Sequence, residues 1–83
     1  MLTEEQIQAY VKEKAGKDFE SQESYELGYD ELDESVLAKI DDDKMIGDTA
    51  MTHVGELIGS EGLLYAVIVN NNDEIIFTGF LDQ

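Results

Sequence analysis

Leu63 to Val69, LLYAVIV, is the longest unbroken apolar stretch in the chain, and it constrains everything around it. The run is of strand length and rich in β-branched and aromatic residues, so it predicts a central strand. Such a strand needs neighbours beside it and layers above and below. Asn70-Asn71-Asn72-Asp73 follows at once, and Asn and Asp tolerate positive φ, so the chain is expected to turn there. Glu74–Leu81 (EIIFTGFL) then returns as the second arm of a hairpin. The sheet should be mainly antiparallel and mostly C-terminal, with helices supplying the remaining cover.

The N-terminal segment reads as one of those helices. Thr3 can accept from the Gln6 amide while Gln6 reaches back, a capping box, and Leu2 can pack on Ile7 as a hydrophobic staple. Ile7, Tyr10 and Val11 fall on one stripe at helical spacing. Glu4 and Glu5 sit at the positive end of the helix dipole and Lys12 and Lys14 near the negative end. Gly16 supplies a left-handed stop. The spacing predicts a helix over 4–15.

Beyond Gly16-Lys17 the period changes to two. Phe19, Ser21, Glu23, Tyr25 and Leu27 would share one face, and Asp18, Glu20, Gln22, Ser24 and Glu26 the other. Charges on such a strand protect an exposed edge against aggregation. Read functionally, the same charges display carboxylates to a partner, though edge protection is the commoner use. After Gly28-Tyr29, Asp30 can cap a second helix over about 31–40, whose apolar stripe is Leu32, Val36, Leu37 and Ile40. On that helix Glu31 and Glu34, three apart, would stand side by side. Asp41-Asp42-Asp43-Lys44 is a solvated connection, Met45–Thr52 a weak strand, and His53–Ile58 an ambiguous segment ended by the turn Gly59-Ser60-Glu61-Gly62. The expected architecture is α+β, a single domain over 1–83 with two helices packed on a mainly antiparallel sheet of about five strands.

Charge narrows the functional classes. The chain carries 20 acids against five lysines and no Arg, a net −15, and twelve of those acids lie between Asp18 and Asp48. Crowded like charges work against a compact state, while such a field speeds association with a basic surface by ~10–1000-fold. Nucleic acid and anionic membranes are therefore not expected as direct partners. No apolar run reaches the ~18 residues of a membrane span. Met-Leu-Thr-Glu-Glu is too acidic to open a secretory signal. Carboxylates spaced along a rigid surface can stand where a DNA-binding protein expects phosphates, one per ~1.7 Å of duplex axis. Generic solubility explains the same composition.

Little else in the chain carries chemistry. There is no Cys, hence no disulfide and no thiolate metal site. The one histidine, His53, reads as a loop or strand-edge residue without a second metal ligand of the usual type. No Ser stands near an obvious base, and the acids at 41–43 are consecutive, unlike the alternating ligands of a calcium loop. No metal, cofactor or catalytic residue is expected. Met45 and Met51 read as core or groove-lining residues.

Gly16-Lys17, then Gln22-Glu23-Ser24, then Glu31 and Glu34 form a series that resembles the phage uracil-DNA glycosylase inhibitor family. Thr49-Ala50, Ser60-Glu61 and the strand Tyr65–Val69 extend the resemblance over nearly the whole chain. It implies a non-enzymatic DNA mimic that enters the glycosylase's DNA-binding cleft and blocks it one to one. The free chain would be a monomer, acting in the cytoplasm of an infected bacterial cell. It also implies that Gln22, Glu23, Ser24, Glu31, Glu34 and Glu61 meet the enzyme. By the same resemblance Leu27, Leu32, Val36, Ile58 and Ile68 would line an apolar pocket for a leucine from the enzyme. Ser35 and Gly47 stand where the family carries Val. Two other functions fit the composition: mimicry directed at a different nucleic-acid-binding protein, and a small acidic carrier module suggested by Asp33-Glu34-Ser35-Val36.

Overall fold

The computed structural model describes residues 2–81. In chain order the elements are helix α1 (Glu4–Ala15), strand β1 (Phe19–Gly28), helix α2 (Glu34–Leu37) and strands β2 (Thr49–Leu57), β3 (Tyr65–Val69) and β4 (Ile75–Phe80). The four strands form one antiparallel sheet in the order β1-β2-β3-β4, so the fold is α+β. That sheet departs from the helical bundle a carrier module would need. No helix among the described residues is long and apolar enough to cross a membrane.

α1 matches its sequence signals. The Thr3 hydroxyl accepts from the Gln6 amide at 3.2 Å, and the Gln6 side chain accepts from the Thr3 amide at 2.8 Å. Gly16, at φ 74°, ends the helix by donating to the Lys12 carbonyl at 2.8 Å. Ile7 and Val11 are buried with Phe19, Leu57, Tyr65, Val67 and Val69, and Leu2 packs on the edge of that cluster. β3, expected to be central, is buried along its whole length.

Two segments differ from expectation. There are four strands, not about five, because the weak strand at 45–52 and the ambiguous segment at 53–58 are one continuous strand. Gly55 lies inside it and reads locally as a breaker, but it faces the β1 backbone so closely that only hydrogen fits. The second helix is also far shorter than 31–40. Tyr29–Glu31 form a 3-10 turn, Leu32 is extended at ψ 150°, and Asp33 rather than Asp30 caps the single turn of α2. Acidic and hydroxyl side chains here prefer local backbone bonds to helix propagation. The Glu31 carboxylate accepts from the Gly28 amide at 2.8 Å and Asp33 from the Ser35 amide at 3.4 Å. The apolar stripe survives this break. Val36 and Ile40 are buried with Ala50, Ala66, Ile68 and Phe77, and Leu32 and Met45 pack against them.

The sheet thus has two covered faces, one under α1 and one under α2. Asn70, almost fully buried, ties the lower end. Its amide nitrogen donates to the Lys44 carbonyl at 2.8 Å, while its side-chain oxygen accepts from Asn72 and Glu74.

Candidate protein-docking edge

β1 pairs with β2 on one side only, so its other side is a free edge. The pairing starts at Phe19↔Leu57, Glu20↔Glu56 and Ser21↔Gly55, then slips, so that Glu23 meets Val54 and Gln22 is left over as a bulge. A bulge reverses the alternation of every later side chain relative to the partner strand. Phe19 and Ser21 therefore lie on the α1 face, whereas Glu23, Tyr25 and Leu27 lie on the α2 face. The single face expected for those five residues is corrected accordingly. Glu20 and Glu23, which strict alternation would separate, come to the same face.

The result is a row of carboxylates along one margin. Glu56 joins Glu20 and Glu23 on the α2 face, directly across from Glu20. Directly opposed like charges destabilise a strand pair by roughly 0.2–1 kcal/mol. Glu61 lies in the turn after β2, where Lys17 approaches Gly59. Asp30, Glu31, Asp33 and Glu34 follow β1 directly in the chain. Every one of these acids except Glu56 is largely exposed, and no lysine occurs between Lys17 and Lys39. From Glu20 to Gly28 the strand spans at most ~27 Å at about 3.4 Å per residue. Tyr25, 38% exposed, stands among these acids on the α2 face.

The residues named from sequence are dispersed along this edge. Gln22 is the bulge and Glu23 points to the α2 face. Ser24 points to the α1 face, where its hydroxyl lies 2.8 Å from His53 Nδ1. That contact corrects two expectations. A serine does stand beside a base, and His53 is an interior residue of β2, not a loop or strand-edge one. Burial holds the His53 pKa below the usual histidine value, partly opposed by Glu4. Glu31 and Glu34 are not side by side on one helix, because Leu32 and Asp33 break the chain between them.

Of the apolar set, Leu32, Val36 and Ile68 belong to the cluster under α2, and Leu27 pairs with Ala50 of that cluster. Ile58 does not join them. It follows the last residue of β2, at the opposite end of that strand from Ala50, and is 60% exposed. Ile68, at 1% exposure, is part of a filled core. The groove on this side is lined instead by Tyr29, Asp30, Glu34, Leu37, Ala38 and Met45. Met51, with Leu2 and His53, lines a second groove on the α1 side. Among the described residues, no three His, Asp or Glu side chains gather as a metal site.

Glu20, Glu56 and Tyr25 were not singled out from sequence. Their grouping depends on the bulge and on cross-strand register, which no local pattern encodes. Comparison with protein families, characterised proteins and solved structures gives no match.

Proposed function

We propose that this protein inhibits uracil-DNA glycosylase by entering the enzyme's DNA-binding cleft in place of DNA, one inhibitor per enzyme, in the cytoplasm of an infected bacterial cell. The observation that supports this most is the pair of exposed carboxylates Glu20 and Glu23 brought to one face of the free β1 edge, with exposed Glu31 and Glu34 in the segment that follows and no lysine between Lys17 and Lys39. Cationic and amide donors that normally hold phosphate would be satisfied by these oxygens through charge-assisted bonds. Because the row is carried on a sheet edge, little ordering entropy is lost on docking. Capture of an enzyme leucine would involve Leu27, Leu32, Val36 and Ile68 and contribute roughly 1.5–3 kcal/mol if fully buried. Ile58 has no part in it.

The experiment is uracil excision from duplex DNA by the glycosylase, titrated with the protein. Complete inhibition near equimolar amounts is expected, and undiminished excision at several-fold excess would end the proposal. Glu23→Gln should weaken inhibition, and Glu31→Gln with Glu34→Gln should weaken it further. Leu32→Asp should nearly abolish inhibition in a variant that remains folded by circular dichroism.

One observation favours mimicry aimed at another nucleic-acid-binding protein. The apolar residues that would capture the leucine are already packed together, whereas the carboxylates stay exposed. Recovery of a partner from host lysate that competing DNA displaces, and that is not the glycosylase, would select this second reading.

A further inference from the structure

The sheet has a second edge, and it is built differently. β4 (Ile75–Phe80) carries no charged residue and no Pro, whereas β1 carries Glu20, Glu23 and Glu26. Natural edges are normally protected by such charges, and an unprotected one is a template for another strand. Among the described residues, no backbone hydrogen bond is made on the outer side of β4. The Leu81 amide donates to the Leu64 carbonyl at 3.0 Å, which fixes the parity of the ladder. In an antiparallel pair, bonded and non-bonded positions alternate. Phe77 and Gly79 therefore turn their N–H and C=O toward β3, while Thr78 and Phe80 turn theirs outward. The bulge between Ile68 and Val69 on this pairing falls at Ile76 and leaves 77–80 regular.

Side chains end openly at the same margin. Phe19 meets Tyr65 edge-on at 6.0 Å, and Tyr65 meets Phe80 edge-on at 5.2 Å. This aromatic row crosses the α1 face and stops at Phe80, which is 44% exposed.

We propose that a second copy of this chain pairs antiparallel along β4, about a two-fold axis at Gly79, joining two four-stranded sheets into one. The two outward-facing residues flank Gly79 symmetrically, so Thr78 of one copy meets Phe80 of the other and the reverse. Each such pair exchanges two backbone hydrogen bonds. Gly79 opposes its own equivalent at a close, non-bonded position. This self-matching is what an isologous contact requires. The charge pattern selects the same edge, because two chains of −15 can meet here without apposing acids within the strands. A short strand edge buries less than the ~1,200–2,000 Å² of stable complexes, so the dimer is weak and the dilute chain monomeric. β1 stays free, and the proposal stands whatever β1 binds.

The test is sedimentation equilibrium of the intact chain up to about 1 mM, at ~0.05 and ~0.5 M NaCl, where added salt screens the remaining repulsion. The expected result is a monomer–dimer equilibrium that tightens about tenfold or more at the higher salt. Thr78→Glu places a carboxylate on the edge. Thr78→Pro removes an outward donor while sparing the bonds to β3. Both variants, where folded by circular dichroism, should remain monomeric, and Thr78→Glu decides if Thr78→Pro does not fold. A parent that stays monomeric throughout, grows beyond a dimer, or dimerises equally well as Thr78→Glu overturns the proposal.

Discussion

Gly55 faces the bulged part of β1, and Gly55→Ala tests whether that approach sets the edge. A Cβ at this position overlaps the Glu20 carbonyl oxygen and lies 2.8 Å from both the Glu20 carbonyl carbon and Ser21 Cα. Carbon atoms pack best at ~3.5 Å or more, so the deficit is about 0.7 Å or greater against backbone that cannot swing aside as a side chain would. Overpacking of this kind costs ~1–3 kcal/mol. Displacing β1 would also weaken one or two ladder bonds at ~0.5–1.5 kcal/mol each. A loss of ~1.5–6 kcal/mol follows, and at ~4–8 °C per kcal/mol for a domain of this size Tm should fall by at least about 6 °C. Thermal unfolding followed by circular dichroism measures it, and amide exchange over 19–24 should accelerate ahead of α1. If Tm moves by less than about 2 °C and exchange is unchanged, the close contact is not what holds the bulge.

Three further outcomes follow from the same geometry. Glu56→Gln relieves the carboxylate opposite Glu20, so chemical denaturation should show a gain of ~0.2–1 kcal/mol while inhibition weakens. Thr52 is 4% exposed and its hydroxyl has no hydrogen-bond partner among the described residues. Thr52→Val should therefore stabilise by about 1 kcal/mol in the same assay, and destabilisation would mean the hydroxyl is satisfied. His53 has its folded pKa depressed, chiefly by burial, below the ordinary histidine value of 6.5. The unfolded chain then binds the proton first. The stability held above the unfolded pKa declines as pH falls through 6.5 and stops declining below the folded pKa. Denaturant midpoints at neutral pH and about one unit below the unfolded value should differ in the parent and converge in His53→Gln.

The parts of the fold written in neighbouring residues were legible in the sequence. Thr3, Gln6 and Gly16 act within one helical turn of each other, and α1 has the bounds they announce. The LLYAVIV run and the Asn-rich turn likewise specify β3 and the hairpin to β4. What escaped was set at long range. Gly55 reads as a strand breaker until the bulge of β1, over thirty residues earlier, lies against it. Asp30 and Asp33 are equally good caps locally, and the choice falls to Asp33 while Leu32, left extended between them, packs against the α2-side core. Of the edge carboxylates the sequence marks Glu23 but not Glu20 or Glu56, and which of them share a face depends on the slip at Gln22. The resemblance puts Ile58 in the apolar pocket with Leu27, Leu32, Val36 and Ile68, and its place just past the end of β2 carries it away from them.

That slip at Gln22 has a geometrical corollary. A ribbon whose acids all pointed one way could press against a single wall. Here Glu20 and Glu23 project from one flat of the strand, while Ser24 and Glu26 project from the other. Such a blade suits a slot with two charged walls, and a substitution on either flat alone would leave the opposite wall still gripped.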